Sequence, residues 1–155
     1  MKSFYQYLAL KIYNAPMTIN FKKLHEDAIA PTKHYDDDMA WDLYNYSKVT
    51  VTPRTMKFIK VGIAVECPPH ICWTLRSRSS MHINGLWVYN GAGDPGYRGD
   101  IGVNIWNTGP RAMIYEAGER IGQIHFMIRP NITLQEVQEL EDSPRSVNWI
   151  GSSGR

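Results

Sequence analysis

Cysteine is scarce. Cys67 and Cys72 are the only two among 155 residues, and their spacing around Pro68, Pro69 and His70 lacks the second ligand pair of a zinc ribbon or finger. They read as reduced structural thiols, because a free cysteine behaves as a small buried hydrophobe, and they point to a reducing cytoplasm, the host's if the source is viral or phage. Neither sign of charge is in excess: 17 Lys and Arg face 15 Asp and Glu, for a net charge of +2. That balance excludes a general nucleic-acid or membrane-surface binder, so any phosphate must be met by local groups. Long apolar runs are missing too. The stretch Phe4 to Leu10 closes at Lys11, short of signal-peptide or transmembrane length, and no targeting segment is visible.

No long amphipathic helix competes with the strand signals. Short runs rich in β-branched and aromatic residues recur at Val49–Pro53, Lys57–Glu66, Ile71–Ser77, Gly102–Trp106, Ala112–Tyr115 and Ile121–Ile128, each bounded by turn residues. This spacing predicts one all-β domain, a sandwich, barrel or jelly roll. Ile19 and Phe21 alternate with Asn20 and Lys22, so the β domain is expected over 17–142, after an N-terminal extension of residues 1–16 and before a mobile, Gly/Ser-rich arm at 143–155. Two stretches read as short helices. Ser79 to Gly85 carries a capping Ser and a terminal Gly, and Thr133 to Glu136 fits a capping box ahead of Val137 and Leu140, although a strand also suits its length.

The stretch from Asn90 to Val103 stands apart. Glycine at 91, 93, 96, 99 and 102 allows positive φ and close approach to a ligand, and into that bare backbone the sequence sets one acid, Asp94, and one ring, Tyr97. Other polar groups suit a polyphosphate: Arg76, Arg78, Ser79 and Ser80 in one segment, Gln123 within Gly118–Gln123, and Arg145, Ser152 and Ser153 near the C-terminus. Asp42 lies between Trp41 and Leu43, so on a strand it faces away from both.

In their order these segments resemble the trimeric dUTPase family. Ala40-Trp-Asp-Leu is similar to its first motif, Arg78-Ser-Ser-Met to its second, and Asp94-Pro-Gly-Tyr-Arg-Gly-Asp-Ile-Gly-Val to its third. Gly118-Glu-Arg-Ile-Gly-Gln is similar to the fourth and Arg145 to Gly154 to the fifth. The resemblance implies a dUTPase-like jelly roll, or distorted β-barrel, with a short helix and a flexible C-terminal arm. It implies a homotrimer with shared active sites that hydrolyses dUTP to dUMP and pyrophosphate with Mg²⁺, and binds neither nucleic acid nor membrane. By resemblance Asp94 activates the water, Tyr97 packs on the deoxyribose, and Asp42 holds Mg²⁺ through water. Ser79 and Gln123 bind the α-phosphate region, Arg78 supports the phosphate-binding end, Ser80 is a further substrate-binding residue, and Arg145, Ser152 and Ser153 grip the outer phosphates.

The sequence also departs from the family. Its usual pair of apolar residues before the acid is absent, so Gly93 precedes Asp94 directly and the base-binding hairpin containing Asn90 is two residues short. In the fifth motif Trp149 or Ile150 replaces the base-stacking Phe. Two other readings remain: a non-catalytic dUTP sensor or interaction module of the same fold, and a dCTP deaminase. The deaminase needs a Glu where this chain has Asn104.

Overall fold

The computed structural model describes residues 16–89 and 91–143. Among them are eleven strands: β1 (Asn20–Lys23), β2 (Trp41–Tyr44), β3 (Val49–Val51), β4 (Met56–Lys60), β5 (Ile63–Glu66), β6 (Ile71–Arg76), β7 (Leu86–Val88), β8 (Ala92–Gly93), β9 (Gly102–Asn107), β10 (Met113–Tyr115) and β11 (Arg120–Ile128). One helix, α1 (Ser79–Ile83), joins β6 to β7. The larger sheets run in the orders β2-β11-β6-β8 and β4-β9-β7, and the pairs β1-β5 and β10-β3 complete the jelly roll. All of these pairings are antiparallel.

Alternation builds the core. On the four-stranded sheet Leu43, Leu75 and Ile124 turn inward, and on the three-stranded sheet Ile59 pairs with Val103 and Val88 with Ile105; all are buried. The expected single strand Lys57–Glu66 is instead two strands in different sheets. Gly62 causes the break: its φ of +69° belongs to the left-handed region, and a Cβ there would lie 2.8 Å from that of Ala28. Asp100 seals the crossing, accepting the Gly62 N–H at 2.8 Å and the Ile63 N–H at 3.2 Å.

Both helix expectations need correction. α1 forms, and Gly85 ends it with φ +70°, but its N-cap is Arg78 with no side-chain cap bond, so Ser79 is the first helical residue and not the cap. The stretch 133–140 has no regular structure. Leu134 and Leu140 are almost fully exposed, and a capping box with no surface to pack against does not repay the cost of nucleating a helix.

Candidate active site

One buried carboxylate organises the cationic end of the site. Asp42 lies in β2, held by backbone bonds in both directions with Thr32, and is only 6% exposed. Its Oδ1 accepts from Arg78 Nε at 3.0 Å and from Gln123 Nε2 at 3.1 Å, and its Oδ2 accepts from Arg120 Nη1 at 3.2 Å. Three donors from two segments, Arg78 after β6 and Arg120 and Gln123 on β11, therefore converge on one acid. In a regular strand Arg120 and Gln123, three residues apart, would face opposite sides of the sheet. The register of β11 against β2 shifts between Arg120 and Gly122, and this bulge turns Arg120 onto the face of Gln123. Arg120 stands within the fourth motif, where the sequence marks Gln123 alone.

Arg78 reaches Asp42 because β6 ends beside β7, where Ser77 Oγ accepts the Val88 N–H at 2.7 Å. Ser79 and Ser80 follow, exposed, in the first turn of α1. Arg78, Ser80, Tyr115, Glu119 and Arg120 line a cavity of about 370 Å³. Burial, reinforced by Glu119, pushes the Tyr115 phenol up, so it faces the cavity as a neutral hydroxyl.

The second acid is elsewhere. Asp94 opens a turn closed by the Tyr97 N–H on its carbonyl, with Pro95 in the position that favours such turns. Arg98 braces this turn from inside through Nη1 bonds to the Pro95 and Tyr97 carbonyls, and Tyr97 Oη donates to Asp100 O at 3.0 Å. The expectation of positive φ in this stretch is corrected, because the described glycines with positive φ are Gly62, Gly85 and Gly118. The turn glycines instead make room for rings. Trp73 lies on Gly93, Tyr97 on Gly99, and Phe58 on Gly102. Asp94 is exposed, and among the described residues its carboxylate has no hydrogen-bond or ion-pair partner. It borders a different cavity, of about 710 Å³, with Arg98, Arg129, Cys67 and Pro95. Cys67 and Cys72 are free, and burial pushes the Cys67 thiol up.

Strand register sets the distance between the two groups. On β6, Arg76 pairs with Gln123 and Trp73 with Gly93. From there the chain runs on to Asp94 in one direction and to Arg78 in the other, a separation of roughly 15–20 Å at about 3.3 Å per residue. Within one chain, then, Asp42, Arg78, Arg120 and Gln123 come together with Ser79 and Ser80 beside them, while Gly93, Asp94 and Tyr97 stand apart. Asn90, Arg145, Trp149, Ile150, Ser152, Ser153 and the extension at 1–15 lie outside the described residues.

Among the described residues no three His, Cys, Asp or Glu side chains are grouped so as to hold a metal. The donor set, a single carboxylate already accepting three bonds, fits an ion that rides on substrate phosphates and keeps its waters, as Mg²⁺ does.

Comparison with known proteins agrees with this geometry. The structure matches the dUTPase of Staphylococcus bacteriophage 80alpha, a variant solved with dUpNHpp, with a TM-score of 0.83 and 26% identity over 89% of this chain and 99% of that one. The fold also matches a dUTPase variant from phage phi11 of S. aureus, described with a structural Mg(II) ion, at a TM-score of 0.76 and 22% identity over 81% of this chain and 100% of that one. The deoxyuridine 5'-triphosphate nucleotidohydrolase of Crocosphaera subtropica is 36% identical over 141 residues, covering 89% of this chain and 99% of the relative. That of Clostridium novyi is 34% identical over 143 residues, with the same coverage. The dUTPase family model matches residues 26–154, and on that span and those identities the chain belongs to the dUTPase family.

Proposed function

We propose that this dUTP diphosphatase works through sites completed by a second copy of the chain, in which Asp94 of one copy serves a phosphate held beside Arg78, Ser79 and Gln123 of another. The observation that carries the proposal is the separation of roughly 15–20 Å along β6. A base must stand within a hydrogen bond, or one water, of the proton it takes. No single chain of this geometry meets that requirement. An exposed apolar row on the three-stranded sheet supports association. Met56 and Trp87 pair on either side of Trp106, and these three side chains, with Phe58, are each about half exposed. Such a patch marks an interaction surface. A homotrimer is the assembly we infer.

In the reaction, Asp94 takes a proton from water as the water oxygen attacks the α-phosphorus, and the bond to the bridging oxygen of the β-phosphate breaks, releasing dUMP and pyrophosphate. Arg78 and Arg120 supply charge for the phosphates, and Asp42 fixes both guanidinium groups before substrate arrives. Tyr97 packs on the deoxyribose, its hydroxyl tied to the Asp100 carbonyl. Arg145, Ser152 and Ser153 close on the outer phosphates, Asn90 serves the base, and Trp149 or Ile150 covers it. Asp42 would hold Mg²⁺, which would supply neutralising charge to the phosphates.

Intersubunit complementation tests the shared site. Asp94→Asn and Arg78→Ala, each inactive alone, are unfolded together and refolded. Random mixing restores up to about a quarter of wild-type pyrophosphate release if sites are shared between copies. No restoration in mixed assemblies means that each chain carries its own complete site. Assaying dUTP, dTTP, dCTP and UTP with and without Mg²⁺ fixes selectivity. The expected substrate is dUTP, and ammonia release from dCTP would overturn the assignment.

A further inference from the structure

The residue leading into Asp94 is a glycine, the most conformationally free of residues, so its direction has to be imposed from outside. The constraint comes from a neighbouring strand. A Cβ built on Gly93 would fall inside the indole of Trp73, onto Cε2, Cδ2 and Cζ2. Trp73 is 6% exposed and pairs with Gly93 across β6 and β8, and its ring centroid is 6.3 Å from that of Tyr97 at a tilt of 56°. One indole therefore borders both the residue before the acid and the ring after it. Among the described residues its buried Nε1–H has no acceptor, and the ring is held by packing.

We propose that Trp73 is a positioning residue for Asp94: by lying on Gly93 it fixes the backbone that aims the carboxylate. The inference rests on Asp94 being the base. Misplacing such a group by about an ångström costs on the order of 100-fold in rate. Gly93→Ala, whose methyl displaces the indole, is expected to lower kcat about 100-fold while KM for dUTP stays within about threefold. Trp73→Phe, which keeps a ring in the core, is expected to lower kcat about 10-fold and remains informative if Gly93→Ala does not fold. Adding Gly93→Val to Trp73→Ala returns a side chain to the vacated space and is expected to recover kcat about 10-fold over Trp73→Ala alone.

The same substitutions in an Asp94→Asn background separate positioning from bulk stability. There, Gly93→Ala and Trp73→Phe should leave the residual turnover unchanged, since no base remains to aim. The proposal is overturned by wild-type kcat in folded Gly93→Ala or Trp73→Phe, or by an equal fractional loss in the Asp94→Asn background. Full turnover in Asp94→Asn alone would instead remove the base itself, and the role of Trp73 with it.

Discussion

Asp42 is 6% exposed and accepts three donors, whereas Asp94 is exposed and its carboxylate has no hydrogen-bond or ion-pair partner among the described residues. The difference separates two uses of one side chain. An acid that already accepts from two guanidinium groups and an amide is occupied as an organiser of those groups. An acid left free at a braced turn can take a proton. The contrast is the one expected if Asp94 is the base proposed above and the cationic end receives the phosphates.

Three substitutions break or sharpen this contrast, beginning with the largest effect. Asp94→Asn should lower kcat about 1,000-fold, within the range of general-base contributions, and leave stability within about 0.5 kcal/mol. Pyrophosphate release and urea unfolding measure the two, and a loss of stability comparable to that of an Asp42 variant would erase the distinction. Asp42→Ala should do the reverse. Leaving Arg78 and Arg120 facing each other without their shared acceptor is expected to cost about 2–3 kcal/mol in urea unfolding, and to weaken binding of a non-hydrolysable dUTP analogue.

The smallest effect concerns the strand face between the two acids. His125 follows Gln123 on the same face of β11, pairs with Thr74, and is held below the ordinary imidazole range by burial and then by Arg76. The unfolded chain takes up this proton first as pH falls. Stability is therefore full above about pH 6.5 and declines below it until the folded form also protonates. His125→Gln should flatten the thermal midpoint between about pH 7 and pH 5 relative to wild type, and an unchanged slope would remove His125 as the cause.

Much of the fold was legible in the sequence, because period-two alternation marks half-buried strands and most of the predicted runs became strands. The strand expected over Lys57–Glu66 was not, since one glycine at positive φ sends its two halves into different sheets and alternation continues across the break. The stretch around Thr133 misled for the opposite reason: its local signals are helical, but nothing underneath it buries Leu134 or Leu140. In the site, the order of motifs marked Asp42, Arg78 and Gln123. Arg120 escaped because the bulge that re-aims it has no residue signature, and Trp73 because its partner is an absence, the side chain that Gly93 lacks. The turn glycines announced close approach, and aromatic rings lie against three of them.

Asp100 gives the two legs of the catalytic turn unequal lifetimes. Its carboxylate holds the amides of Gly62 and Ile63, so the C-terminal leg opens only when the crossing between the sheets opens, whereas the N-terminal leg is secured by the two residues of β8 and one bond from Leu75 N–H to the Gly91 carbonyl. Hydrogen exchange should divide there, with slow amides at Ile63 and Ile101 and a faster one at the exposed Ala92. The turn is thus anchored in two different ways, by hydrogen bonds at its C-terminal end and by the packing of one indole on a bare glycine at the other.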